Sequence, residues 1–554
     1  MTRASLGPLV KLKETVGVFV RNAPSPRELL ANRTQRFDRL HAILPSTAAP
    51  GESLTLTVQA WDQCERLHRD FEATVTVTAT DSEATHPRTV TFDPASDGVE
   101  RVAGVAFESP GVHYLTLTED RTGERFVSNP VRVTDDDRRV YWGDIHLHSI
   151  RSDGTGDAAD GYRFGRDVMD LDVAAYTDHD TMGFFIPPGW QRRRMHREYF
   201  EELCSLADAF DDPGEFVALP AYEWTKQPNA GGHLNVYFED GADATLIDSL
   251  AAESNTYERL WERLREWERT HDSRVVTVPH HPAEAMYPFD FAAVDYDDEL
   301  APLVEVYSQW GSSERPGSEG NRFPLAMGQG EMDEAGYYVR DAHRLGYRVG
   351  MMGSADFHGP YPGHSIIHTR PHLPSLDEWR EAGLGWGNVW RVWNERSYPG
   401  GLTAFLAPDL TRESILSALR SRSVYATTQP HRILVDFRVN GTDVAEQDDA
   451  VVVADADTPR EVRVEVAGTA PVETVEVVKN DAVWRTVDGT DDPDADLDAY
   501  AVAGEWTDDD PITGMRWDEA RGTDGDVYTV RVRQASADRY PGMAWVGPLW
   551  VEAA

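Results

Sequence analysis

Histidine is concentrated in one part of this chain, and several of the histidines there stand near an aspartate or glutamate. Thirteen of the 18 histidines fall between His146 and His372. Two short runs carry ligand-type residues spaced by two: His146 and His148 in Gly143-Asp-Ile-His-Leu-His, and Asp356 and His358 in Gly353-Ser-Ala-Asp-Phe-His-Gly359. Side chains two apart on a strand point the same way, so each run presents two donors to one place. Between the runs come Asp153, Asp178, His179, Glu223, His233, His280 and His281. Histidine and carboxylate without cysteine select borderline-to-hard divalent ions: zinc, manganese or iron. Eleven groups are too many for one ion and suit two or three, with Glu223 placed to bridge. Each fragment alone is commonplace, since a His-x-His is more often a surface pair and a Glu at a strand end is more often solvated. Their combination carries the reading.

These residues need strands to place them. From Val140 to about Thr428, strand patterns (Val140–His146, Val173–Tyr176, Phe216–Ala221, Leu234–Phe238, Val275–Val278, Leu303–Tyr307, Val349–Met352) alternate with amphipathic helices at Arg194–Phe210, Tyr257–Thr270, Glu334–Leu345 and Arg412–Leu419. Such alternation argues for a barrel or a doubly wound sheet. The candidate ligands sit at or just past strand C-termini, where barrels build their sites. On either side the texture is short Thr/Val-rich alternating runs broken by turns, which reads as antiparallel β-sandwich. The expected division is an N-terminal extension over 1–36, a sandwich over 37–138, a barrel over 139–428 and a second sandwich over 429–554.

Composition narrows the function. The 554 residues carry 53 basic and 95 acidic side chains, a formal charge of −42. All but four of the basic residues are arginine, and the acids are spread along the chain. We read this as adaptation to a salty cytoplasm, where screening removes the self-repulsion. Nucleic-acid binding is disfavoured for want of a basic footprint. No apolar run is long enough to span a membrane, and Met1–Asn22 lacks an export-signal core. Two cysteines, Cys64 and Cys204, supply no disulfide framework. A cytoplasmic location is the simplest expectation.

The run His-x-His, Ser-Asp-Gly, Thr-Asp-His, Glu, Gly-His, Pro-His, Asp-x-His resembles the polymerase-and-histidinol-phosphatase (PHP) superfamily of metal-dependent phosphoesterases, over roughly Val140–Thr428. The stretch Val304–Glu314 and the closing Tyr528–Val551 resemble its DUF3604 branch. The resemblance implies a distorted (β/α)7 barrel. It also implies three ion positions: His146, His148, Glu223 and Asp356; Glu223, His233 and His280; and Asp153, His179 and His358. Pro279-His-His-Pro282 leaves His281 as the alternative second-ion ligand, otherwise facing substrate. A metal-bridging hydroxide would attack phosphorus, with Asp356, Glu223 and Asp178 as catalytic candidates and His281, Lys226, Glu305 and Arg322 as substrate contacts. Arg370 is a weaker candidate of the same kind. The expected substrate is a small phosphorylated metabolite, with no nucleic acid or membrane as partner. Two readings compete: a hydrolase of a non-phosphate bond on the same barrel, and a non-catalytic binding scaffold.

Overall fold

A computed structural model describes residues 26–182, 188–327, 329–365, 398–447, 449–536 and 540–554. Over these residues the protein is dominated by β-sheet, with few helices. None of the helices described is long and apolar enough to cross a membrane.

At the N-terminal end, the sheet of Phe37–Ile43, Leu54–Asp62 and Val99–Val105 faces a four-stranded sheet built around Ala73–Ala79 and Leu115–Glu119. Alternation does the work here. Leu54, Leu56 and Val58 on one strand and Val75 and Val77 on another turn inward and share one apolar core. Outward-facing threonines such as Thr74, Thr76 and Thr78 meet solvent.

The central region is assembled from short strands: β1 (Arg139–Asp144), β2 (Val173–Ala174), β3 (Val217–Ala218), β4 (Ala221–Trp224), β5 (His233–Phe238), β6 (Val275–His280), β7 (Leu303–Ser308), β8 (Gly350–Gly353), β9 (Gly401–Ala407) and β10 (Val424–Thr428). Parallel pairing joins β1, β2 and β3, and again β6, β7 and β8. The distorted (β/α)7 barrel that the resemblance implies is not evident. β4, β5 and β6 run antiparallel, as do β1, β9 and β10. The alternating texture missed this because β4 and β5 are joined by a short loop with no crossover helix, and antiparallel neighbours need none. The two central sheets meet through the bridges Leu147–Phe357 and His179–Glu223, which bring the candidate ligands together.

The helices that do form follow simple rules. Tyr257–Thr270 starts at Thr256, whose side chain accepts from the Arg259 amide, and buries the stripe Leu260, Trp261, Leu264 and Trp267. Arg412–Arg420 is capped in the same way by Thr411. The helix expected from Glu334 begins at Val339 instead. There the Asp341 carboxylate takes the Gly336 and Tyr338 amides and fixes the start. The helix expected from Arg194 begins earlier, at Pro188, and reaches Phe210 through a wide turn at Met195–Tyr199.

The C-terminal strands continue the central sheet. Ala426 and Thr427 of β10 pair with Trp545 and Ala544 of the strand Met543–Ala553, so hydrogen bonding runs uninterrupted past position 428. A second sheet, Leu434–Val439, Arg460–Ala467 and Ala501–Asp508, completes this end.

Candidate metal centre

β1 ends at Asp144 and the chain stays extended through His148. Ile145 and Leu147 enter apolar clusters, while His146 and His148 turn to the other side; all four are fully buried. The loop that follows is pinned by Asp178. Its carboxylate accepts from the Ser149 amide at 2.9 Å, the Ser149 hydroxyl at 2.7 Å and the Ser152 hydroxyl at 2.5 Å. This delivers Asp153. Gly154 is obligatory there, because a Cβ would stand 2.0 Å from the His148 carbonyl oxygen. Asp180 does the equivalent work one strand on, accepting from the Thr225 amide at 3.0 Å and the Ser249 amide at 2.8 Å. Asp144 accepts from the Ala355 and Gly363 amides and from Gln429, each at 2.9 Å, and so fixes the turn that carries Asp356. Burial pushes Asp144 up to about 6. Asp356 itself sits at φ 51° and His281 at φ 36°, left-handed backbone that non-glycine residues rarely adopt and that collects at functional sites.

The donors converge. His146 Nε2 lies 3.3 Å from Glu223 Oε2, 3.3 Å from Asp356 Oδ1 and 3.3 Å from His148 Nε2. His148 Nε2 lies 3.2 Å from both of those carboxylate oxygens. Ligands held at about 2.0–2.1 Å around a tetrahedral ion stand about 3.3–3.4 Å apart, so each of these pairs is spaced as two ligands of one ion would be, and His146, His148 and Asp356 form one candidate group. A second set gathers around Asp153 Oδ1, with His179 Nε2 at 3.2 Å and His358 Nε2 at 3.3 Å; His148 completes the group. A third contains His233, His280 and His281. Both His280 and His281 are therefore present, and His280 also groups with His146 and Glu223. Glu223 spans the sets: Oε2 faces the first, while Oε1 lies 2.6 Å from His233 Nδ1 and 2.9 Å from His179 Nδ1. Oε1 also accepts from the Thr225 hydroxyl at 3.2 Å.

Charge makes the stronger argument. Asp153, Glu223, Glu305 and Asp356 are all buried. Among the described residues their ionic partners are histidines alone, with no lysine or arginine. The rings are left to compensate. Burial opposes charge on His146, yet Asp356 and Glu305 raise it well above its ordinary value. Burial likewise opposes Glu223 and Asp153 at His179, and the carboxylates prevail, raising it to about 10. His281 goes the other way, lowered to about 4 chiefly by burial. Four buried carboxylates balance two divalent ions. Both ring nitrogens of His280 and Nδ1 of His148 and His281 have no hydrogen-bond partner among the described residues, as suits rings whose role is ligation.

The other expected contacts fare differently. Asp178 holds Ser149 and Ser152, so it shapes the Asp153 loop and does not meet a histidine ring through its described hydrogen bonds. Lys226 directs its ammonium at the Trp224 ring, 4.2 Å away, and at the Asn255 carbonyl. It is the Lys226 backbone oxygen that serves the centre, accepting from His233 Nε2 at 2.9 Å. Partial burial lowers the Lys226 ammonium to about 8. Arg322 is exposed, the side chain after a buried Asn321. Arg370 lies outside the described residues. Asp144 and Asp180 were not singled out from sequence. Asp144 had a usable signal, since it continues the spacing of two that marks His146 and His148. Asp180 had none.

The family model described as "Protein of unknown function (DUF3604)" matches residues 165–301 and 339–510. The chain belongs to the DUF3604 family. His179, Glu223, His233, His280 and His281 fall within the first matched segment and Asp356 and His358 within the second; His146, His148 and Asp153 precede both. An uncharacterized protein of Chlamydia pneumoniae is 24% identical over 80% of this chain and 63% of its own length. One from Chlamydia trachomatis is 23% identical with the same coverage. The chain thus spans under two thirds of the length of these relatives. Among solved structures, a two-domain Bacteroides vulgatus protein, described as containing a predicted PHP-like metal-dependent phosphoesterase, aligns with 75% of this chain and 96% of its own, at 15% identity and a TM-score of 0.32.

Proposed function

We propose that this DUF3604 protein is a metal-dependent phosphoesterase acting on a small phosphorylated metabolite, with a centre of PHP type in a distorted barrel. The observation that carries the reading is the ligand-like spacing of His146 Nε2 and His148 Nε2 from each other and from Glu223 Oε2 and Asp356 Oδ1, inside a cluster whose carboxylates have only histidines as ionic partners among the described residues. Divalent manganese, zinc or iron held there would supply Lewis acidity and an acidified water as nucleophile.

The chain's own residues do the rest. Glu223 and Asp356 would hold ions at the donor sets, and those ions would supply the positive charge that attracts a phosphoryl group. His281, neutral because burial holds it near 4, presents an N–H to a phosphoryl oxygen. Its Nε2 lies 3.7 Å from Asp356 Oδ2; a neutral ring beside an ionised carboxylate has no acidic proton to give, so the departing oxygen takes its proton from water. Tyr287 packs on His233 with ring centroids 4.3 Å apart, and Trp310 stands 6.0 Å from His358. These two aromatics wall the centre against water and give an organic leaving group an apolar neighbour.

The test is phosphate release from p-nitrophenyl phosphate and bis-p-nitrophenyl phosphate, with manganese or zinc restored after chelation. The expected result is turnover that falls at least about 100-fold in His146→Ala, since even outer partners of metal ligands cost 10- to 100-fold. Ions bound with no phosphate released from either ester would refute the phosphoester assignment.

A further inference from the structure

Glu305 was expected to meet substrate, and the structure puts it elsewhere. It lies on β7, paired with His280 of β6 and Met352 of β8, and it is 1% exposed. Its Oε2 is 2.9 Å from His146 Nδ1. The nitrogen that faces the other donors is Nε2, across the ring. Glu305 therefore stands behind His146, away from the atoms that would hold an ion.

We propose that Glu305 is a positioning residue for the first ion site, acting through His146. A neutral imidazole carries one N–H. A carboxylate accepting at Nδ1 fixes that proton there, turns the ring, and leaves the Nε2 lone pair aimed between Glu223 Oε2 and Asp356 Oδ1. A partner of this kind also makes Nε2 a more basic ligand. Packing alone does not account for a carboxylate at this place. The Oε1 atom is buried with no hydrogen-bond partner among the described residues, and unused acceptor capacity in the interior is destabilising. An aliphatic side chain would fill the space without that penalty. The carboxylate makes sense as the acceptor that orients His146.

The inference rests on the metal-binding part of the proposed function and is independent of which ester is cleaved. Glu305→Gln and Glu305→Ala would be compared with the wild-type full chain. Three quantities are read: manganese or zinc affinity by competition with a fluorescent chelator, ions per chain after equilibrium dialysis, and the thermal midpoint of the metal-free protein. Glu305→Ala is expected to weaken one ion by about 10- to 100-fold while the others stay bound. Glu305→Gln keeps an acceptor for the Nδ1 proton without the charge, so its affinity should fall between. The metal-free midpoints should stay close to wild type. Unchanged ion affinity in folded Glu305→Gln overturns the proposal, even if Glu305→Ala fails to fold. So does a rise in KM with every ion retained, which would return Glu305 to substrate contact. A wild type that binds no ion overturns this proposal and the metal reading together. Ions bound without phosphate release would remove only the phosphoesterase assignment, and the affinity comparison would still decide Glu305.

Discussion

Two regions of this protein bury several carboxylates, and they neutralise them differently. In the C-terminal sheets, Asp508 and Asp526 meet Arg460 and Lys479. Arg460 donates to Asp508 at 2.8 Å, and Lys479 lies 2.7 Å from Asp508 and 3.0 Å from Asp526. Asp526 takes further bonds from Asn480 at 2.7 Å and from the Thr513 and Gly514 amides at 3.0 Å. Burial would raise both acids, but these donors outweigh it and hold them below their ordinary value. Two permanent cations answer two anions, so the charges balance without a ligand. At the centre, four carboxylates have only histidines as ionic partners among the described residues, and histidine charge depends on pH. A buried charge without a firm partner is strongly destabilising, so a cluster built this way could hold a cation the chain does not itself supply. Burial and acidity look alike in the two places; the identity of the partner separates structure from function.

Substitutions should pull the two regions apart. The largest effect is expected for Asp356→Ala, which removes a donor shared by His146 and His148. Phosphate release should drop at least about 100-fold, with far-ultraviolet circular dichroism and the metal-free midpoint near wild type. Lys479→Met should act in the opposite way. Leaving two buried acids to Arg460 should cost about 3–5 kcal/mol, read from urea unfolding, while ion content stays at the wild-type value. Chelation sharpens the contrast. Stripping ions held at a hundred times their Kd should cost the wild type about 2.7 kcal/mol for each ion, and Lys479→Met should lose a similar increment on top of its own deficit.

A smaller effect concerns Asp172, whose carboxylate accepts from the Trp142 amide at 2.7 Å. Burial raises it to about 7, although Arg432 nearby pulls it down. An acid raised on folding contributes stability that is full below the unfolded value and lost as pH rises through the folded one. For Asp172 that window runs from about 4 to about 7. Thermal midpoints of metal-free Asp172→Asn across pH 4 to 8 should therefore vary less than those of the metal-free wild type.

The ligands were legible because strand geometry is local. His146 and His148, and Asp356 and His358, share a direction by their spacing of two, whatever the rest of the fold does. The terminal β-texture was legible for the same reason: Thr/Val alternation of the kind seen in Ala73–Ala79 needs no distant information. Pairing direction was less accessible. That β4, β5 and β6 run antiparallel depends on connections whose lengths admit more than one topology, and the distorted (β/α)7 barrel expected from the resemblance is not evident. The contacts of Lys226 and Glu305 were hidden too, since a long side chain can turn to solvent, to an aromatic ring or to the far side of a histidine. Sequence places their Cα atoms near the centre and leaves the ends of the side chains undetermined. Asp178 shows the same limit: the resemblance made it a catalytic candidate, while its described hydrogen bonds go to the serines of a loop nearly thirty residues earlier.

The most direct measurement is the number of ions per chain, by inductively coupled plasma mass spectrometry on protein prepared without chelator. The account predicts two or three divalent ions per wild-type chain, fewer in Asp356→Ala and the full number in Lys479→Met. A folded wild-type protein with no ions above background, after manganese, zinc and iron have each been offered, would contradict it.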